Sequence, residues 1–521
     1  MKTPDKIKLI MTVLLTITHI TIFAQRIGYE WIKTLSNSSQ VISIIDNENK
    51  LIIATNGNIK RIDLDGNLIW EVNDTLFNAT GIAVDNENNF YLTGTNAKYI
   101  NQSQYSFTEI SYIYIAKYDK LGNRIWVSTT NIQTTNNSSG NFSTSIACDL
   151  HNALYITGSY TSSILFDSYQ LTDNNSSAIF IAKYDTAGNA QWAKKIFGTN
   201  SSDALSYGQG NEIVIDHENN IYLTGTFRGS FNFGGTIFPF HLGDDLFISK
   251  LDSNGVFLKT IVIGSSEHNE GDRLVVDKNN NLILLAKFGD VISINGNQYQ
   301  AIDNYNNAII IKLVKDSIIF ATQIGYSNGG AIISDICLDK NQNILYVGSI
   351  RNWPTLYPMI YRIDTSGIID WSYMIAESTE KNFAFNNSII SDTSGGIYLA
   401  GSFNHIAYFG DTLLGSANNL WQTFIGKIDT TKLYPNLHFA DNASTIQIFP
   451  TITHGNLTIM SLTQNLEGSI LYLFNLSGQI IKQFTLTTNK SDINFDEVSS
   501  GMYFVQVIGA DFKEKFKIIK Y

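Results

Sequence analysis

An aspartate, a short asparagine-rich turn and an apolar strand follow one another seven times, beginning at Asp46, Asp85, Asp149, Asp216, Asp277, Asp339 and Asp392. The clearest copies read DNENNFYLTGT from Asp85, DHENNIYLTGT from Asp216 and DTSGGIYLAGS from Asp392, and the spacings are 39, 64, 67, 61, 62 and 53 residues. A strand-rich unit of this length cannot bury both its faces alone and must stack against copies of itself. Within one unit, Gly81 to Asp85, Phe90 to Thr95, Tyr112 to Asp119 and Arg124 to Thr130 alternate or run apolar like strands. Four strands per unit make one propeller blade. The sequence therefore predicts an all-β chain built around a seven-bladed β-propeller.

The third and fourth strands of a unit are joined by Asp-x-x-Gly-Asn, as at Asp119 to Asn123 and Asp185 to Asn189. There Asp accepts from the turn's own amides and Gly takes positive φ. Asp63 to Asn67, Asp252 to Gly255 and Asp364 to Gly367 are read as the same hairpin. An aromatic or large apolar residue then opens the fourth strand: Trp70, Trp126, Trp192, Leu258, Phe320 and Trp371. The seventh is missing, because Lys427, Ile428 and Asp429 run into Thr430, Thr431 and Lys432 with no such strand. Residues 31–35 (WIKTL) stand before the first unit and look like the fourth strand WAKKI of residues 192–196. They are expected to close the ring, which pairs strand edges that would otherwise stay open. The propeller is thus assigned to residues 25–432.

Residues 1–24 carry lysines at 2, 6 and 8, an apolar stretch from about Leu9 to Phe23, and Ala24 before Gln25. This is the pattern of a secretory signal peptide. No second long apolar stretch follows, so no permanent transmembrane span is expected. The chain carries a formal charge of −11; the leader contributes +2, leaving −13 beyond it, which argues against nucleic acid as the partner. Cys148 and Cys337 fall in the third and sixth units, well apart on a seven-membered ring, and are read as two buried thiols rather than a disulfide.

Beyond Lys432 the period stops. Residues 433–445 read as a linker, and residues 446–521 as a small immunoglobulin-like β-sandwich, from the short strand patterns at 446–450, 455–459, 470–475, 478–484 and 501–507. This last segment resembles the type A sorting domain of the type IX secretion system. The resemblance rests on Phe449-Pro450-Thr451 followed by Gly455-Asn456-Leu457, on LYLFNLSGQII from Leu471 to Ile481 with Gly478, on Ser500-Gly501-Met502-Tyr503, and on the terminal Phe516-Lys517-Ile518-Ile519-Lys520. The family's common Pro-Asn-Pro opening is replaced here by Pro450-Thr451-Ile452. The resemblance implies Gram-negative outer-membrane export, type IX machinery as a partner, and a secreted or cell-surface protein that passes through the periplasm.

The repeats in turn resemble a β-propeller repeat family of bacterial exported proteins, through ITGSY at Ile156 to Tyr160 and IAKYD at Ile115 to Asp119 and Ile181 to Asp185. That implies fold and not activity. In a four-strand meander, the first-to-second and third-to-fourth turns share one end, here short and stereotyped. The other end carries long segments such as residues 227–245, 160–178 and 403–419, where recognition is expected. Phe231, Phe233, Phe238, Phe240 and His241 are the candidate apolar or carbohydrate-stacking patch, against the alternative that loop aromatics pin the connection to the blades.

Glu267, Glu270 and Asp272, with His268 among them, could gather a hard cation, or be a solvated loop between blades. Calcium at the Asp/Asn turns is a secondary reading, since they lack the ligand order of an EF-hand. Asp185-Thr186-Ala187 and Asp411-Thr412-Leu413 resemble short bacterial O-glycosylation motifs. No metal-type histidine pair, nucleophile elbow or phosphate loop stands out. The sequence thus points to an exported binding, adhesion or scaffold module for a glycan or protein ligand, with a glycan-degrading propeller enzyme as the alternative.

Overall fold

The computed structural model describes residues 27–430 and 446–520 apart from short internal segments, the longest of them 131–140. Residues 1–24, read above as a signal peptide, and residues 433–445, read as a linker, lie outside the described residues. Seven antiparallel blades of four strands follow one another, the first six simple meanders, and the third blade's sheet runs on into two short strands of the fourth to make six. Their first strands are Val41–Ile45, Ala79–Val84, Phe142–Cys148, Tyr207–Ile215, Asn269–Val276, Ala331–Leu338 and Phe385–Ser391. Each of these neighbours the next, and Phe385–Ser391 returns to Val41–Ile45, so the seven form a closed inner ring. The seventh sheet takes its outermost strand from the N-terminus: Tyr29–Thr34 pairs antiparallel with Gln422–Ile428, Trp31 opposite Lys427 and Thr34 opposite Phe424.

The apolar core is divided among the seven gaps between blades. Each second and third strand is buried on both faces because each blade is covered by two neighbours. Between the seventh and first blades, for example, Tyr398, Ala400 and Ile425 meet Leu51, Ile53 and Ile62, with Trp31 packed against them. The fourth-strand tryptophans serve the same gaps. The indoles of Trp31, Trp70 and Trp126 donate to the carbonyls of Leu64, Lys120 and Thr186, each in the hairpin turn of the next blade. Their rings lie over Gly66, Gly122 and Gly188, at φ of +78°, +87° and +87°, where a Cβ would sit within about 3 Å of the ring.

One expected residue is corrected. Leu258 does not take this place in the fourth blade; it is exposed, and Lys259 sits opposite Lys250 where the other blades have Trp or Phe. The Lys259 amine donates to the Asp316 carbonyl at 2.7 Å and so replaces the indole N–H. Its target turn is also different, with Lys315 and Asp316 both at positive φ (47° and 59°), a two-residue hairpin rather than Asp-x-x-Gly-Asn.

The Asp-led turns hold themselves and their neighbours together. Asp85 Oδ1 accepts from the amides of Glu87 and Asn89, both at 2.9 Å, and the same pair of bonds recurs in the other copies except the last, where Asp392 Oδ1 takes the amides of Gly395 and Gly396. Tyr91, Tyr155 and Tyr398 donate to the second oxygen of Asp85, Asp149 and Asp392. These carboxylates are therefore spent on turn chemistry. The fourth turn residue sits at positive φ, 64° at Asn88 and 65° at Asn152, and its side-chain oxygen accepts an amide from the preceding blade's turn. The bonds are Asn47 N to Asn88, Asn86 N to Asn152, His217 N to Asn280 and Lys278 N to Gln342, all 2.9–3.0 Å. Asparagine is suited to both tasks, as it tolerates the left-handed region and carries an acceptor. Replacing Asn152 by Gly is expected to cost about 1 kcal/mol for the lost bond, and Asn152→Ala about 1–2 kcal/mol more for the backbone strain. Denaturant titration of both variants checks this; equal losses would show that conformation contributes nothing.

The C-terminal unit is two sheets, one of three strands and one of five. In the larger, Lys513–Lys520 lies inside, antiparallel to Gly501–Ile508 and parallel to Ile452–Thr453. Leu457, Ile459, Leu471, Leu473, Val505, Val507 and Ile518 are among the side chains that fill the space between the sheets.

Candidate functional site

The long segments of the second face are less varied than their sequences suggest. In the third, fourth, fifth and seventh blades each contains a small hairpin, opened by Ser163–Phe166, Phe231–Phe233, Val291–Ile294 and Ile406–Phe409. Alternate residues of these strands are buried: Ile164 and Phe166, Phe231 and Phe233, Ile292 and Ile294, Ala407 and Phe409. They enter the core between their own blade and the preceding one. In the fourth blade the hairpin also pairs with the preceding outer strand, Phe197 opposite Asn232 and Gly198 opposite Phe231. The hairpins are clamps between blades, set toward the perimeter.

That corrects the proposed aromatic patch. Phe231 and Phe233 have 0% and 1% exposure and cannot stack on a ligand. Phe238 is half-buried, with its ring edge-on to Phe233 at 5.4 Å. Phe240 and His241 lie outside the described residues. A groove of about 510 Å³ runs between the third- and fourth-blade hairpins, past Thr172, Lys194, Lys195, Gly234 and Phe257. The Lys195 amine is already committed to the Thr172 carbonyl at 2.7 Å. The groove gathers no opposed charges, and the densest cluster of them among the described residues lies elsewhere.

It lies in the central channel. Each of the second to sixth inner strands carries a β-bulge four or five residues before its turn Asp. In three of them the extra residue reaches across to the next inner strand: Thr80 to the Ser143 carbonyl, Thr144 to Gly210 and Asn211 to Gly271. The residue after each bulge is Gly81, Ser145, Glu212, Arg273 and Asp335, with Ser388 at the same place in the seventh blade. A chain of side-chain contacts runs round the axis at this level. Ser43 meets Ser388 at 3.1 Å, Ser388 meets Asp335 at 2.9 Å, and Glu212 is bonded to Ser145 by a short contact. Arg273 stands between, its Nε 3.8 Å from Glu212 and 4.0 Å from Asp335.

The fifth blade breaks the repeat. Where the second, third and fourth blades have Thr or Asn reaching forward, it has Asp272, whose oxygens take Arg273 Nη1 at 2.8 Å and Lys287 Nζ at 2.7 Å. Lys287 itself replaces the Thr or Ser found at Thr95, Ser159, Thr226 and Ser402. It also bonds Glu270 at 3.1 Å. Toward the hairpin face the network continues, with His268 held between Asp244 (Nδ1, 2.5 Å) and Glu270 (Nε2, 3.2 Å), and Arg228 on Asp244 at 2.5 Å.

Electrostatics divide this network in two. The bonds from Asp244 and then Glu270 raise His268 to about 9, so it is a cation at neutral pH. Burial would push Glu270 up, but His268 and Lys287 hold it down to about 2. Deeper in the channel burial wins: Glu212 is pushed up to about 7 against the pull of Arg273 and Ser145, and Asp335 is also raised. The cation-gathering reading of Glu270 and Asp272 is replaced by a fixed ammonium, Lys287, while Glu267 is exposed. Nor do Glu212 and Asp335 form a bond-cleaving pair as placed, because Arg273 fills the space between them. Sequence reading missed Arg273, Lys287, Glu212 and Asp335; the signal was a charge at repeat positions that are small or hydroxylic elsewhere.

In the C-terminal unit the Tyr503 hydroxyl donates to the Ser499 carbonyl at 2.7 Å, a corner contact of the sort that ties sandwich strands to the preceding turn. Lys520 is buried, its ammonium donating to the carbonyls of Phe495, Asp496 and Val498 at 3.0, 2.6 and 2.5 Å. Residues 447–521 match the secretion system C-terminal sorting domain family. The chain is a β-propeller with a secretion sorting domain. It is therefore exported to the cell surface or the extracellular space, and its sorting domain engages the secretion machinery. Of the sorting-motif residues, Tyr503 and Lys520 are the buried anchors just described, and Gly501 and Lys517 lie on the two paired strands. Pro450, Gly455 and Gly478 fall outside the described residues. Among the described residues no helix is long and apolar enough to cross a membrane.

Over 133 residues the chain is 33% identical to an uncharacterized WD repeat-containing protein of Acanthamoeba polyphaga mimivirus, a match that takes in 23% of this chain and 9% of that protein. Among solved structures it is similar to the Dos1 propeller, at 11% identity over 85% of this chain and 92% of that one, with a TM-score of 0.34. It is also similar to PorZ, a surface component of the type-IX secretion system of Porphyromonas gingivalis, at 9% identity over 93% and 86%, TM-score 0.22. An ulvan-degrading polysaccharide lyase covers 93% of its own length and 72% of this chain at 10% identity, TM-score 0.40.

Proposed function

We propose that the exported propeller is a recognition module that takes its ligand into the channel from the hairpin face, on the arc formed by the fourth to sixth blades. In this reading residues 25–432 do the binding, residues 446–521 do the delivery, and residues 433–445 join them. The observation that carries the proposal is the fifth blade. Six other blades close their inner ring without its charges, so the fold does not require them, and buried charge is costly to keep. Charge retained against that cost, on inner strands that keep partial exposure, fits recognition.

The test restores the repeat. In the full-length exported protein, Asp272→Thr, Arg273→Ser and Lys287→Thr together give the fifth blade the uncharged residue types that stand at these places elsewhere in the ring, as at Thr144, Ser145 and Thr226. The triple variant is expected to fold and, at pH 5 where Glu212 and Asp335 need less counter-charge, to keep its thermal midpoint within a few degrees of the parent, while ligand-induced shifts across a library of extracellular sugars, peptides and organic acids disappear. A variant that unfolds outright, or one that keeps every shift of the parent, would show the charges to be structural.

A further inference from the structure

The channel site also carries information about what it would take, an inference that rests on the recognition reading above. Arg273 uses only Nη1, on the Asp272 carboxylate at 2.8 Å and the Asp272 carbonyl at 3.1 Å. Its Nε lies 3.8 and 4.0 Å from Glu212 and Asp335, ion-pair distances beyond a direct hydrogen bond, which leaves Nε–H and the Nη2 protons for a ligand. The three side chains keep 36%, 20% and 23% exposure. Since inner strands are covered by blades on every other side, that exposure opens on the channel.

The order around the ring is acceptor, donor, acceptor, and then hydroxyls: Glu212, Arg273, Asp335, flanked by Ser145 and Ser388. An anion placed beside Arg273 would meet two carboxylates, and a cation placed beside either carboxylate would meet the guanidinium. A hydroxyl suits both, accepting from Nε–H while donating to a carboxylate oxygen, and it adds no charge. Two hydroxyls on adjacent carbons would accept one from Nε–H and one from Nη2–H, each free to donate to a carboxylate. Across the channel, on the first and second blades, the ring carries Ile42 and Gly81, neither of them charged.

We propose that this arc of the channel binds an uncharged, polyhydroxylated ligand, a neutral saccharide whose hydroxyls bridge Arg273 to Glu212 and Asp335. Titration calorimetry on the full-length exported protein tests it, with malto-, cello-, xylo- and laminari-oligosaccharides as probes beside sets of small organic acids and amines of matched size. At least one neutral saccharide is expected to bind, and Arg273→Lys and Glu212→Gln are each expected to weaken it tenfold or more, whereas Lys194→Ala in the perimeter groove leaves it unchanged. Asp335→Asn serves as the second channel variant should Arg273→Lys lower the thermal midpoint. Saccharide binding indifferent to the channel variants would overturn the proposal. Acids or amines that bind in an Arg273-dependent way, with no saccharide bound, would also overturn it while leaving the channel as the recognition site. No Arg273-dependent binding of any class would remove both.

Discussion

Deleting residues 25–35 is expected to leave a propeller that cannot stay monomeric. Tyr29–Thr34 is the outer strand of the seventh blade, and without it Gln422–Ile428 presents a full row of unpaired amides and carbonyls. The loss also opens two core gaps. Ile27 is fully buried and donates its amide to Met374, Tyr29 and Ile32 pack on Phe403, Phe409 and Phe424, and Trp31 covers Gly66 and Tyr398. Each such side chain is worth about 1.5–3 kcal/mol when buried, and Trp31→Ala alone is expected to cost about 3 kcal/mol. Light scattering of the refolded deletion variant should show oligomers, and a synthetic peptide of residues 27–35 added in excess should restore the monomer. A truncated chain that stays monomeric and melts like the parent would mean that the ring does not depend on its N-terminal strand.

Arg273→Ala is expected to destabilise the propeller by about 2–4 kcal/mol at pH 8, because it leaves Glu212, Asp335 and Asp272 facing one channel without their central cation. Most of this deficit should vanish near pH 5. Burial raises Glu212 to about 7 and raises Asp335 too, so the folded state binds more protons than the unfolded chain between their two values. For groups raised in this way stability falls as pH rises through that window and returns as pH drops. Denaturant titrations at pH 5 and pH 8 give the comparison. An equal loss at both would show that charge is not what Arg273 supplies, whereas recovery in Arg273→Ala combined with Glu212→Gln would identify the acid that needs it.

Much of the propeller was legible because its repeat is chemical as well as apolar. An Asp that accepts two amides, an Asn that tolerates positive φ and a Gly beneath a tryptophan are local needs, and local needs recur in every copy. The closing strand was legible for the same reason, since Trp31 must reach the carbonyl of Leu64 as Trp70 reaches that of Lys120. Where the local chemistry changed, the reading slipped by one residue: the turn at Lys315 and Asp316 does not look like its counterparts, and neither does Lys259, which stands in for an indole.

The site was legible only in part. Phe231 and Phe233 drew notice as loop aromatics, but a hairpin that folds back on its blade buries alternate residues, and a period of two over three residues is too short to recognise. Arg273, Lys287, Glu212 and Asp335 come from three blades and span residues 212 to 335, so nothing in their spacing connects them.

By itself, then, the sequence determined the blades, their turns, the strand that closes the ring and the sorting domain that exports it, because each follows from contacts between residues close in the chain or from a motif read in order. Which side chains share the channel, which aromatics are hidden and which carboxylates resist ionisation were decided by the ring closing on itself. Only closure brings the inner strands to one axis and excludes enough water for a carboxyl such as Glu212 to be pushed up to about 7.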